Sequence, residues 1–137
     1  MKIHQTSFTE AMKQETYAVF AKYDKDKMGV VGIDRPISYH IRNGEEIVSS
    51  VITQHFWGAL HIKYVWTKKE HRGKGYATKI LEEVLRIAKE KKYPFIFIET
   101  LSFQALDFYK KFGFEVEFIR QGFSHDISFY YLRKTLT

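Results

Sequence analysis

The sequence has no cysteine. Disulfides, thiol nucleophiles and thiolate metal sites are excluded together, and a reducing compartment is the natural setting. Proline occurs only at Pro36 and Pro94, and no repeat, low-complexity tract or Gly/Ser linker divides the chain. No apolar run approaches the roughly 18 residues of a membrane span. The stretch from Met1 to Ala11 is polar and charged, without the apolar core of a signal peptide. A cytoplasmic protein with no membrane partner is expected.

What is present fits one domain, 1–137. Hydrophobic residues make up 45% and charged residues 28% of 137 positions. A chain of that length buries roughly 68–70% of its unfolded surface, enough for a core without staples. Aromatic residues are abundant at 17%, which supplies large side chains to bury and argues against disorder. Twenty-two Lys and Arg against 16 Asp and Glu leave a net charge of +6. Such a balance attracts anions without choosing among nucleic acid, phosphorylated metabolites and nucleotide cofactors.

Periodicity gives the element order. The spacing of Met12, Tyr17, Val19, Phe20 and Tyr23 predicts an amphipathic helix over Thr9 to Tyr23. Asp24 to Pro36 reads as a loop that could cover a site. Ile37 to Arg42, Glu46 to Phe56 and Ala59 to Thr67 read as three strands, turned at Asn43-Gly44 and Trp57-Gly58. Ile80, Leu81, Val84, Leu85, Ile87 and Ala88 form the apolar stripe of a helix from Tyr76 to Lys92. Phe95 to Ile98 is a continuous apolar run, expected to be a strand buried on both faces. A short helix from Phe103 to Phe112 ends at Gly113, where a left-handed cap is wanted. Phe114 to Arg120 and Ile127 to Arg133 read as a closing antiparallel pair. The whole is an α/β or α+β domain whose sheet is mixed and mostly antiparallel, flanked by helices.

The most informative stretch is Arg72-Gly73-Lys74-Gly75-Tyr76-Ala77, which follows a strand and opens a helix. Its glycines let the backbone come close to a ligand, and the first helical amides lack intrahelical acceptors. Those amides and the helix dipole favour an anion, and Lys68, Lys69, Arg72, Lys74 and Lys79 add positive charge. The loop is neither a Walker A motif nor the dinucleotide fingerprint. It reads as a phosphate or pyrophosphate binder, or as a tight turn with solvated lysines.

A second motif narrows the reading. Arg72-x-x-Gly75-x-Ala77 resembles the acetyl-CoA signature of the GCN5-related N-acetyltransferase (GNAT) family. Ala105, Tyr109, Gly113 and Phe114 resemble its downstream motif, one helix and one strand later. The resemblance covers roughly residues 37 to 134 and is strong from 60 to 114. It implies acetyl-CoA as co-substrate. It further implies that the backbone of Val65, Trp66 and Thr67 holds the pantetheine arm, and that the amides of Gly73, Lys74, Gly75, Tyr76 and Ala77 hold the pyrophosphate. Tyr109 stands at the position of the family's general acid. Ser102 replaces a common Asn that contacts the pantetheine, with shorter reach.

The amine acceptor, a small molecule or a protein, must be neutral to attack, so a base is needed. His61 is the first candidate because its unperturbed pKa lies near neutrality. Glu99 is the second, as base or as anchor for a cationic acceptor. His40, His55 and His125 lie further from the two motifs. No His pair shows metal-site spacing, so no metal is expected. Without cysteine, transfer has to be direct, in a ternary complex. The alternative is a non-catalytic module that senses acyl-CoA or binds nucleic acid, although no nucleic-acid motif occurs. A homodimer through the apolar C-terminal hairpin is left open.

Overall fold

The computed structural model describes every residue except Phe103 and Gln104. It divides into two compact units, Met1–Ile33 and Asp34–Thr137, each taken by itself.

The first unit is built on helix α1, Glu10–Met28. Thr9 caps it, its hydroxyl accepting the Met12 N–H at 3.2 Å. The helix passes Tyr23 and continues to Met28, so Asp24 to Met28 is helix and not the expected loop. Nothing breaks it earlier: Lys22 and Asp26 pair at i, i+4, and Lys25 and Lys27 suit the C-terminal dipole. Gly29 stops it at φ +76, returning its N–H to the Lys25 carbonyl at 2.8 Å. The expected apolar face does not become a buried one. None of the helix residues is buried, and Val19, Phe20 and Tyr23 stay exposed. At 100° per residue, Thr16 and Lys27 fall among them on the same side.

The second unit holds a six-stranded sheet ordered β1-β2-β3-β4-β6-β5. Its strands are β1 Ile37–Asn43, β2 Glu46–Phe56, β3 Ala59–Thr67, β4 Phe95–Leu101, β5 Glu115–Arg120 and β6 Phe129–Thr135. Asn43 pairs with Glu46, so the first turn is Gly44-Glu45, one residue later than the sequence suggests. Gly44, at φ +67, takes the left-handed place itself. The turn at Trp57-Gly58 is where it was expected.

Helix α2, Tyr76–Glu90, buries Ile80, Leu81, Val84 and Ala88. They join Val51, Leu60, Ile62, Ile96, Ile98 and Leu132 in the core on one face of the sheet. Each large side chain buried there contributes roughly 1.5–3 kcal/mol. β4 alternates between buried Ile96, Ile98 and Thr100 and half-buried Phe95, Phe97 and Glu99. The expectation of burial on both faces is therefore corrected: the aromatic face of β4 is only partly covered.

Helix α3, Leu106–Lys111, brings Tyr109 and, just beyond it, Phe114 into the same core. The expected start of this helix at Phe103 falls outside the described residues. Its end is a Schellman cap at Gly113, φ +90. There Phe114 N–H reaches the Tyr109 carbonyl at 3.3 Å and Gly113 N–H the Lys110 carbonyl at 3.0 Å. The C-terminal strand inserts between β4 and β5, an order that chain succession does not reveal.

Candidate functional site

The sheet consists of two antiparallel halves, β1-β2-β3 and β4-β6-β5, joined by a short parallel ladder. β3 and β4 pair only at Leu60–Ile96, His61–Phe97 and Ile62–Ile98. Beyond that point they diverge. β4 stays with β6 along its whole length, while β3 stays with β2. The reason is local. Ile52 faces Tyr64 but Thr53 faces Ile62, so Lys63 is an extra residue on β3, a bulge. The bulge reverses the side-chain alternation. Leu60 and Ile62 point into the core before it, Val65 packs on the core after it, and Tyr64 and Trp66 are left exposed.

The divergence leaves an opening of about 430 Å³. Lys63, Tyr64, Val65 and Trp66 line one side. Glu99, Thr100, Ala105 and Tyr109 line the other. Because Glu99 and Thr100 point to opposite faces of β4, the opening reaches both faces of the sheet.

Two titratable groups are perturbed there. Glu99 accepts from or pairs with His61, Oε2 to Nε2 at 2.7 Å. That hydrogen bond holds the Glu99 carboxyl below its ordinary range, against the opposing effect of partial burial. The His61 ring lies flat on Phe97, centroids 4.5 Å apart and planes 2° off parallel. Its orientation is thus fixed by one aromatic and one carboxylate. Tyr109 is 6% exposed, and desolvation pushes its phenol up to about 12. It is protonated at any physiological pH.

β3 ends at Thr67, and a single 3-10 turn, Lys69–His71, leads into the Arg72–Ala77 loop. Gly73 and Gly75 have φ +78 and +76, and a Cβ built on either meets no atom within 4 Å. The first helical bond of α2 runs from Lys79 N–H to the Gly75 carbonyl at 3.0 Å. The amides of Tyr76, Ala77 and Thr78 therefore have no acceptor within the helix. Arg72 folds back, its Nε donating to the Thr67 carbonyl at 3.2 Å. Thr67 Oγ1 lies 2.8 Å from the hydroxyl of buried Ser49, which secures the strand end. Of the five basic residues, Lys68 is taken up by Glu46.

A profile of the Acetyltransferase (GNAT) family matches residues 1–114. The chain belongs to this family. Solved acetyltransferase structures share the fold. One from Bacillus cereus ATCC 14579 is 26% identical, with a TM-score of 0.74 and 98% of each chain covered. A protein from Agrobacterium tumefaciens is 21% identical, with a TM-score of 0.81, covering 98% of this chain and 99% of that one. The PaiA N-acetyltransferase of Thermoplasma acidophilum, solved with coenzyme A, is 16% identical with a TM-score of 0.60, covering 97% of this chain and 80% of that one. No curated protein matches the chain significantly.

Within this GNAT domain the sequence candidates fall into place unevenly. Val65, Trp66, Glu99, Ala105 and Tyr109 meet in the opening, and His61 reaches it through Glu99. Ser102 does not line it. Its hydroxyl oxygen accepts the Ser128 N–H at 3.1 Å, while its own N–H donates to the Ser128 carbonyl at 2.9 Å. His40 is tied to Ser38 and His55 to Tyr93, both away from the opening. Sequence reasoning missed Lys63 and Tyr64. The signal was available: the apolar alternation Leu60, Ile62 shifts phase to Val65.

Proposed function

We propose that the protein transfers the acetyl group of acetyl-CoA to a primary amine directly, in a ternary complex. The observation that carries this reading is the opening between β3 and β4, with an ionised carboxylate at one face and a buried, protonated tyrosine near the other.

The backbone supports the cofactor roles. Beyond Ile62 the β4-facing edge of β3 has no strand partner, so Val65, Trp66 and Thr67 can bind the pantetheine amides as a strand would. The amides from Gly73 to Ala77 would hold the pyrophosphate, with Lys69, Arg72, Lys74 and Lys79 adding charge. Ala105 allows close approach, and Ser102 keeps its hydroxyl proton to donate.

In the transfer, the neutral amine forms a bond to the thioester carbonyl carbon and the carbon–sulfur bond breaks. The amine proton passes to the hydrogen-bonded Glu99–His61 pair, of which Glu99 lines the opening. Tyr109 faces the departing sulfur. A phenol near 12 cannot easily give its proton to a thiolate whose acid has a pKa of about 8.5. Tyr109 therefore acts first as a hydrogen-bond donor that stabilises charge developing on sulfur.

Calorimetric titration of acetyl-CoA into the protein, with desulfo-CoA and ATP as controls, tests the reading. One-to-one binding at micromolar affinity, about −8 kcal/mol, is expected. No binding at low salt would reduce the loop to a turn. Binding without transfer to any amine would leave a non-catalytic acyl-CoA sensor.

A further inference from the structure

Helix α1 is long for a helix that buries nothing. Even alanine-rich helices of about 12–15 residues are marginal alone in water, and helices in proteins are stabilised mostly by packing an apolar face. Here 19 residues are helical and none is buried. Intrinsic propensity does not supply the difference, since Thr16, Tyr17, Val19, Phe20 and Tyr23 are all middling helix formers.

The open side of the helix is patterned. Met12, Thr16, Val19 and Tyr23 follow one another at spacings of four, three and four, the heptad spacing of a helix–helix seam. At 3.6 residues per turn they lie within roughly 60° of one another around the axis. Thr16 is half-buried, and Met12, Val19 and Tyr23 are exposed, at 39, 62 and 60%.

The flanks of this stripe say what covers it. One flank carries Glu15 and Lys22, both exposed, and the other carries Lys13, Phe20 and Lys27. Against a second copy of α1 running antiparallel, Met12 meets Tyr23, Thr16 meets Val19, and like flanks face each other. Glu15 then lies beside Lys22 of the second copy, and the two-fold axis makes that contact twice. In the same register Lys13 comes beside Phe20 of the second copy, a cation–π contact like the one it makes with Tyr17 at 5.7 Å. The antiparallel helix dipoles agree with this direction. A parallel pair sets unlike flanks against each other, and Lys22 would meet Lys27. Lys22 is held at present only by Asp26 of its own helix, in an exposed i, i+4 pair that exchanges at little cost.

We propose that α1 is a self-association surface: two copies of the chain pair antiparallel along Met12, Thr16, Val19 and Tyr23, in a register set by Glu15 and Lys22. A seam of this length belongs to the small, transient class of interfaces. It uses neither the glycine loop nor the opening between β3 and β4, so it stands apart from the acetyltransferase reading.

Sedimentation equilibrium of the full chain from about 10 µM to about 1 mM tests it. A monomer–dimer equilibrium is expected. Val19→Glu, in the middle of the seam, should weaken the dimer by about tenfold or more. Glu15→Lys turns both flank contacts repulsive and should also weaken it about tenfold, while Glu15→Lys combined with Lys22→Glu should return to within about threefold of wild type. A lost fold could not give that rescue. A wild-type chain that stays monomeric over the whole range would overturn the proposal, as would a double variant no better than Glu15→Lys alone. A dimer untouched by Glu15→Lys would overturn it too, and would assign the association to another face such as the C-terminal hairpin.

Discussion

Tyr109 shows how a single residue serves packing and chemistry at once. Its ring packs edge-on against Phe108 and Phe114, at 5.3 and 6.0 Å, and the residue also lines the opening. Tyr109→Phe keeps the packing and removes the donor. Turnover should fall by about 10²-fold or more with acetyl-CoA affinity little changed; an unchanged turnover would remove Tyr109 from the chemistry. The same burial has a consequence for stability. The folded protein holds the Tyr109 proton up to about 12, whereas the unfolded chain releases it near 10. This contribution is whole below pH 10 and is lost as pH rises from 10 to 12, about 2–3 kcal/mol. Denaturant unfolding of Tyr109→Phe should therefore lose less stability across that interval than wild type. Glu99 behaves oppositely: its pKa is lowered, so its contribution is present above about 4.5 and disappears as pH falls. In His61→Ala the Glu99 titration, followed by carboxyl NMR, should move back up, since the His61 hydrogen bond is the main cause of the shift.

At the scale of elements, the site is made by two strands that part and a helix that starts beside them. Gly75 sits at φ +76 with open space where a Cβ would go. Gly75→Val costs roughly 1–2 kcal/mol of backbone strain yet clashes with nothing in the protein. It should fold and fail to bind acetyl-CoA, because the side chain enters the space proposed for the pyrophosphate. Normal affinity in a folded variant would end the loop assignment. Most elements were legible in the sequence because each carries its own period: β2 and β3 lie where their alternation and the Trp57-Gly58 turn put them, and α2 begins at Tyr76. The errors arose where local signals compete. Asn43-Gly44 suggested a turn on those two residues, but extending the pairing to Asn43–Glu46 shifts it to Gly44-Glu45. The charged stretch after Tyr23 resembled a loop but pairs Lys22 with Asp26 and continues the helix. The apolar run of β4 did not reveal that Phe95 and Phe97 face a partly open groove.

Over the whole molecule, charge acts at long range. With a net charge of +6, association of anionic acetyl-CoA should be steered, and stopped-flow on-rates should fall several-fold between about 0.05 and 0.5 M salt. A salt-independent rate would show that only the local loop matters. No helix among the described residues is long and apolar enough to cross a membrane. The sequence by itself determined the mixed fold, the glycine loop at the head of α2, and the spacing from Arg72 to Tyr109, because these depend on local period and on contacts close along the chain. It could also nominate His61 and Glu99. Only the tertiary structure decided that these two, 38 positions apart, share a hydrogen bond, that Lys63 bulges β3 away from β4, and that β6 takes its place beside Glu99. Those facts depend on strand order and register, which are set by how the two halves of the sheet pack on α2 and α3, and no periodicity within a single strand encodes them.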